Sequence, residues 1–349
     1  MKGERISRWP LRAPRGWLAA AGLVLLGAAT HAREERPLPE PRISCYAGYL
    51  QREAPHGLEG VRAAVRQALA HEDAALLRFL QERLAEVIGA EASAALQVLE
   101  WAQGAQGLEL SLYLGALREA EAVRTPDVVE RLVRMAETHA DAGHQGLALV
   151  ALETQHRLEP AMLERLTALA KQDALDLGVA LQTVKTLGRV METDFRKTGH
   201  FEPSLGQLLE VALDSPEAKV RGLALEMGTY LDARVEGPSL ARVMKLHAED
   251  ADAGVREMAA LVMSSGRDTE AVLAAFRQSF PKERDRCVRW AIVRYAVRAG
   301  GAGALPLLED FARQDARFQK DAQEFKALYG AGQVDFNRLW PAKGIHHRC

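Results

Sequence analysis

The chain has 349 residues, of which 48% are hydrophobic and only 6% aromatic, and its formal net charge is −2 at pH 7. This length can bury a large core, and taken alone it would suggest two compact domains. The near-neutral charge disfavours a general nucleic-acid binder, which needs a basic surface. The apolar residues are mainly Ala, Leu and Val, without the period-two alternation of strands, so the sequence predicts an all-α fold.

The N-terminus has the layout of a secretory signal. Five basic residues precede an apolar run from Trp17 to Ala29, and small residues lead to Ala32. The run is shorter than the roughly 20 residues that a spanning helix needs. We therefore predict cleavage near Ala32 and a periplasmic or otherwise exported protein, with an uncleaved inner-membrane anchor as the alternative. Cleavage would leave a net charge of −6, which further disfavours nucleic acid as a partner.

Composition and hydrophobic periodicity divide the chain into five segments. They are a signal peptide at 1–32, a Pro-rich charged linker at 33–57, divergent N-terminal helical repeats at 58–120, a regular repeat array at 121–330, and a C-terminal cap and tail at 331–349. In the last segment Phe336, Leu339 and Trp340 are predicted to cover the exposed final repeat.

The array is marked by regular punctuation. Proline opens an apolar-periodic segment at Pro126, Pro160, Pro203 and Pro238, which suits the first turn of a helix. A small–apolar phrase then follows, centred on Ala116, Ala148, Ala180, Ala224, Ala259 and Ala291. A period in the thirties with two helices per period is typical of a helical repeat array, whose pairs must stack to bury their apolar faces.

The second helices of the later periods carry a further pattern, Asp followed by Val-Arg-x-x-Ala, whose Arg is missing from the repeats at 146 and 178 and whose Val-Arg phrase is missing from 58–120. Its best copies pair Asp214 with Val220-Arg221, Asp252 with Val255-Arg256, and Asp285 with Val288-Arg289. This pattern resembles the HEAT repeat, and more closely the short bacterial HEAT-like type. The resemblance implies a right-handed α-solenoid of stacked antiparallel helix pairs. It also implies a structural ladder in which Asp214, Arg221, Asp252, Arg256, Asp285 and Arg289 link successive turns. Function stays open, because such folds host many tasks.

One period is longer than the others. The stretch METDFRKTGH at 191–200 is an insertion, and we expect a loop there, either merely tolerated or used as a binding edge.

Motifs for chemistry are scarce. The sequence has no Gly-x-Ser-x-Gly, P-loop or His-Glu-x-x-His motif, so no catalytic residue is predicted. The Glu153–His156 pair lacks the second pair that a carboxylate-bridged metal site needs, and HADAGH at 139–144 favours a solvated loop over a cation site. We predict no metal and no cofactor.

The cysteines are odd in number. Cys45, Cys287 and Cys349 leave at least one unpaired in an oxidising compartment. Either Cys287 pairs with Cys349, or the three are independent thiols.

The sharpest candidate for a binding site is one helix near the C-terminus. Arg286, Trp290, Arg294 and Arg298 are spaced by four and share a face, and Arg with Trp is the composition of an interaction hot spot. The alternative places Trp290 in the core, Arg289 in the ladder and the other arginines in solvent.

We predict an exported scaffold that binds another protein of a cell-envelope assembly. A lyase- or modification-type HEAT-like enzyme is one alternative, and a nucleic-acid-binding HEAT-like protein retained in the cytoplasm is another.

Overall fold

A computed structural model describes residues 55–200, 203–229 and 234–344 of the chain. These ranges are α-helical and contain no β-strand, so the predicted all-α class is confirmed. None of the helices in this part combines the length and the apolar character needed to cross a membrane. The predicted signal peptide, most of the linker, Cys45, Cys349 and the end of the tail lie outside the described residues.

The helices are numbered here in chain order. They are α1 (Gly57–Ala70), α2 (Ala74–Ile88), α3 (Ala92–Gly104), α4 (Gly107–Glu119), α5 (Pro126–Thr138), α6 (Ala142–Leu152), α7 (Pro160–Ala170), α8 (Leu177–Thr198), α9 (Ser204–Asp214), α10 (Ala218–Met227), α11 (Gly237–Glu249), α12 (Ala253–Met263), α13 (Thr269–Ser279), α14 (Arg286–Gly300), α15 (Leu305–Gln314), α16 (Gln319–Gly330) and α17 (Phe336–Ala342). Short 3-10 stretches lie at Glu121–Arg124, Gly301–Ala304 and Ala316–Phe318.

Contacts between helices follow the order of the chain. Each odd-numbered helix from α1 to α15 packs against the even-numbered helix that follows it. We call the odd members first helices and the even members second helices. Successive second helices from α2 to α14 contact one another, and successive first helices from α3 to α13 do the same. Contact is therefore made mainly with neighbours along the chain.

The ends of the helices explain the punctuation of the sequence. Pro126 and Pro160 are the first residues of α5 and α7, Pro238 is the second residue of α11, and Pro203 immediately precedes α9. Proline costs nothing at these positions because the first N–H groups of a helix have no partner within the helix. Five of the second helices begin instead with a capping aspartate that accepts backbone N–H groups, namely Asp73, Asp141, Asp176, Asp252 and Asp285.

The expectation of a loop at 191–200 is wrong. Helix α8 continues through this segment to Thr198 and ends at Gly199, whose φ of +73° is left-handed. The extra turns are stabilised by burial of Met191 and by Glu192, which accepts from Arg189 at 2.8 Å and from Arg196 at 2.5 Å. Charge pairs at helical spacing favour helix, so the insertion lengthens a helix.

Close approach of two second helices depends on a glycine. A Cβ added at Gly188 of α8 would lie 2.7 Å from Sδ of Met227 in α10. Any larger residue at position 188 would therefore force this contact apart.

Candidate partner-binding site

Three arginines connect successive turns between paired helices. The first, Arg221 of α10, donates from Nε and Nη2 to the carboxylate of Asp250 at 2.8 and 2.9 Å. Its Nη1 donates to the backbone carbonyls of Ser215 and Pro216, both at 2.9 Å. Asp250 lies in the turn after α11, so one guanidinium joins the turn of its own pair to the turn of the next.

The same arrangement recurs twice towards the C-terminus. Arg256 of α12 donates to the carboxylate of Glu283 at 2.8 and 3.0 Å, and to the carbonyls of Asp250 and Ala251. Arg289 of α14 donates to the carbonyl of Glu283 at 2.7 Å and to the carboxylate of Asp315 at 3.1 Å. We call Arg221, Arg256 and Arg289 the rung arginines.

The aspartates of the predicted ladder have a different role from the one that the resemblance implied. Asp252 and Asp285 accept backbone N–H groups at the starts of α12 and α14, and thus cap helices. Asp214 accepts from the ammonium of Lys171 at 3.3 Å, in the preceding turn.

The carboxylates that pair with the rung arginines are Asp250, Glu283 and Asp315, and sequence reasoning missed them. Their side chains are only 5%, 8% and 9% exposed. Burial alone would raise the pKa of Glu283, but hydrogen bonds from Arg256 and from backbone N–H groups hold it below its ordinary value. The signal was present, because Asp250 and Glu283 each stand two residues before a capping aspartate.

The residue after each rung arginine marks one face of the second helices. These residues are Gly222, Glu257 and Trp290, and Arg294 lies one helical turn beyond Trp290. We call this surface the second-helix face. Nothing lies within 4 Å of a Cβ built at Gly222, so the face is open at α10. Burial, and then repulsion from Asp285, raises the pKa of Glu257, partly offset by Arg294.

At α14 the second-helix face is covered by the short helix α17. Trp290 is 8% exposed, and its ring lies 5.7 Å from Trp340 and 6.3 Å from Phe318. The guanidinium carbon of Arg294 lies 3.9 Å from the ring centroid of Trp340. The structure thus brings two residues of the predicted partner site together, but against the chain's own C-terminal segment.

The other two residues of the predicted partner site lie near the two ends of α14. Arg286 is exposed at the start of α14, and Arg298 is half-buried near its end. The alternative interpretation agrees with the burial of Trp290 and with the rung position of Arg289. It does not describe Arg294, which packs against Trp340 instead of lying in solvent. The predicted cap residues also lie here, with Leu339 buried and the ring of Phe336 stacked at 6.0 Å from Trp340.

The segment after α17 inserts a lysine into the protein. The side chain of Lys343 is 1% exposed and forms an ion pair with Asp321, whose side chain is fully buried. Its ammonium lies 3.5 Å from a carboxylate oxygen of Glu324, 4.9 Å from the ring centroid of Trp290 and 5.3 Å from that of Phe325. We call Trp290, Asp321, Glu324 and Phe325 the ammonium cage.

A separate pocket of about 450 Å³ lies between the first helices α11 and α13. Its polar lining includes the Arg256–Glu283 pair, His247 and Ser279. Nδ1 of His247 is 3.1 Å from the carbonyl oxygen of Arg256, and Nε2 is 2.9 Å from Oγ of Ser279. Since a carbonyl only accepts, we assign the proton to Nδ1 and let the serine hydroxyl donate to Nε2. Burial lowers the pKa of His247, which favours the neutral ring.

The weaker metal candidates are engaged in other contacts. Nδ1 of His144 lies 2.8 Å from Asp141, and its ring stacks at 3.9 Å on His139. Glu153 accepts from Arg118 and Gln182 rather than meeting His156. Within the described ranges, no three His, Cys, Asp or Glu side chains are grouped so as to hold a metal ion.

Cys287, at the start of α14, is disulfide-bonded. The alternative in which all three cysteines are independent thiols is therefore wrong. The candidate partners, Cys45 and Cys349, both lie outside the described residues.

Comparison with known proteins adds no relative. No model of a known protein family matches the chain, and no curated protein matches it.

Proposed function

We propose that this protein is an exported, right-handed α-solenoid of HEAT-like repeats that holds a partner protein in a cell-envelope assembly. The main observation behind the proposal is the set of contacts by which α14 binds the short helix α17. The seven-residue helix α17 lies on the second-helix face of α14, where Trp340 contacts Trp290 in a tilted arrangement and lies under the guanidinium of Arg294. Directly after α17, Lys343 forms a buried ion pair with Asp321 of α16. These are the contacts by which an interface holds its anchor residues.

The contact pattern supports the solenoid. Each helix pair packs on the pairs adjacent in the chain, as expected of a repeat array. The rung arginines fix neighbouring turns at the same register in three successive pairs. A surface held in this way is pre-organised, so a partner need not supply the free energy to order it.

Two features support export. The first is the signal-like N-terminus, and the second is the disulfide at Cys287, because such bonds persist in oxidising compartments. Fractionation of cells producing the full chain tests this part. Export requires the processed chain in the periplasmic fraction, and retention of the full-length chain in the cytoplasm would revive the nucleic-acid-binding alternative.

Site-specific photo-cross-linking in intact cells tests the scaffold. A photoreactive residue replaces Glu226, which is exposed one turn beyond Gly222 on the second-helix face. The matched control replaces Lys245, which is exposed on the first helix α11. We expect a discrete cross-linked partner from position 226 and none, or much less, from position 245. Equal capture from both positions, or none from either, contradicts the proposed face.

A second candidate function is a modification-type enzyme, and the pocket at His247 is the observation that favours it. A hydroxyl that donates to a neutral imidazole, beside a cavity, is an arrangement used for nucleophilic catalysis. A serine-directed fluorophosphonate probe tests this candidate. Labelling of Ser279 that disappears in His247→Gln supports it, and an unlabelled Ser279 removes it.

A further inference from the structure

We propose that the ammonium cage is a binding site for an alkylammonium group, which Lys343 fills within the chain and which a lysine side chain of a partner fills when α17 leaves. The inference rests on the proposed function only in taking the competing lysine from a partner protein. The cage itself is inferred from the contacts of Lys343 alone.

The chemistry of the cage selects a small cation. The ammonium meets two aromatic rings, at 4.9 and 5.3 Å, and the carboxylates of Asp321 and Glu324. Ring faces attract cations, and this attraction grows when water is excluded. The carboxylate of Asp321 is fully buried, and a buried anion is stabilised by a nearby cation, so this position favours an ammonium over a neutral or an anionic group. The site therefore recognises an ammonium group at the end of an apolar stem.

The segment that brings Lys343 is built to be separable. Helix α17 has only seven residues and contains Pro341, and a helix of that length is not stable alone. The link from α16 passes through Gly332, at a φ of +83°, and through Val334, which is 79% exposed. The position of α17 therefore depends on the side-chain contacts of Leu339, Trp340 and Lys343. A disulfide from Cys287 to the tail would keep the tail attached to α14 when α17 moves off its site.

A competing lysine would reach the cage from the surface that the scaffold offers. Trp290 belongs both to the cage and to the second-helix face. Lysine suits this entry because its four-carbon stem can lie along apolar rings while its head enters the site.

Chemical rescue in the full chain tests the cage. The variant Lys343→Ala removes the ammonium and the stem, and n-butylammonium chloride then serves as the probe. We expect it to raise the Tm of Lys343→Ala in a saturable way, with half-saturation in about the millimolar range. The Tm of the wild type should not change, because Lys343 occupies its cage. Sodium chloride at equal ionic strength and 1-butanol are the controls for salt and for the apolar stem.

A second variant checks the acidic wall. In Lys343→Ala with Asp321→Asn, the half-saturating concentration of n-butylammonium should rise about tenfold or more, because one carboxylate is lost. If Lys343→Ala does not stay folded, the same probes are added during refolding. Recovery with n-butylammonium but not with 1-butanol then supports the site.

Three results would overturn the inference. They are no ammonium-specific effect in Lys343→Ala, an equal effect in the wild type, and an unchanged response in the double variant. Failure of the cross-linking experiment would leave the rescue result intact, so the cage and the scaffold can fail separately.

Discussion

The guanidinium of Arg294 lies over the indole of Trp340, with 3.9 Å between the guanidinium carbon and the ring centroid. This contact joins α14 to α17, and Trp290 lies beside it, 5.7 Å from the same indole. Trp340 therefore covers two of the residues that the sequence suggested for partner binding. Its removal should uncover them without disturbing the helices beneath.

We expect Trp340→Ala to loosen α17 and to lower the free energy of unfolding by about 1–3 kcal/mol, because aromatic and cation contacts are lost together. Limited proteolysis should become faster between α16 and α17, and acrylamide should quench the remaining tryptophan fluorescence more strongly. Arg338→Ala, at an exposed position of the same helix, is the control and should leave both readouts unchanged. Unaltered proteolysis in Trp340→Ala would show that other contacts hold α17.

The rung at Arg256 should be worth more than a surface ion pair. Arg256→Ala leaves the 8%-exposed carboxylate of Glu283 without its bidentate partner and two carbonyls without a donor. We expect a loss of about 2–3 kcal/mol in urea unfolding. Arg267→Ala is the matched control, because its pair with Glu236 has both side chains about 60% exposed. That variant should change stability by no more than about 0.5 kcal/mol. If the two variants lost similar amounts of unfolding free energy, Arg256 would contribute no more to stability than an exposed ion pair.

Burial of His247 predicts an acid-sensitive stability. Its pKa is lowered in the folded protein, mainly by burial, while the unfolded chain keeps the ordinary value near 6.5. Below that value the unfolded state binds the proton more readily, so stability falls as pH drops from about 6.5 towards the folded pKa. His247→Gln should flatten this part of the curve measured by urea unfolding at pH 5 to 8. The exposed His200→Gln variant should keep the full slope, and an identical slope in both variants would argue against the assignment.

Two glycines of second helices should respond in opposite ways to alanine. Gly188→Ala places a methyl 2.7 Å from Sδ of Met227, so we expect destabilisation by about 1–3 kcal/mol. Gly222→Ala meets nothing within 4 Å, and alanine should stabilise α10 there by about 0.5–1 kcal/mol. Thermal unfolding of the two variants gives the comparison directly. A stabilised Gly188→Ala variant would mean that α8 and α10 approach less closely.

The partner of Cys287 can be identified by peptide mapping under non-reducing conditions. We expect Cys349, because it lies only six residues after Lys343, and Lys343 contacts Trp290, which is one helical turn from Cys287 in α14. Cys349→Ser should then free the thiol of Cys287, whereas Cys45→Ser should not. A linked peptide containing Cys45 would contradict this expectation.

Local patterns in the sequence predicted what depends on local structure. Proline positions marked the starts of α5 and α7, and the Val-Arg pairs placed the rung arginines on second helices. The partners of those arginines depend on the geometry of turns about thirty residues away, which periodicity does not encode. The burial of Lys343 depends on contacts among α14, α16 and the segment after α17, so no short sequence motif predicts it.

Each rung arginine joins one helix pair only to the next pair along the chain, so the contact between two pairs depends on residues at that junction. Loss of one rung arginine would leave the two helix pairs intact but would weaken the contact between them. In an Arg256 variant, amide hydrogen exchange should therefore speed up more in the helices beyond α12 than in those before α10, although the chain still unfolds in one main transition.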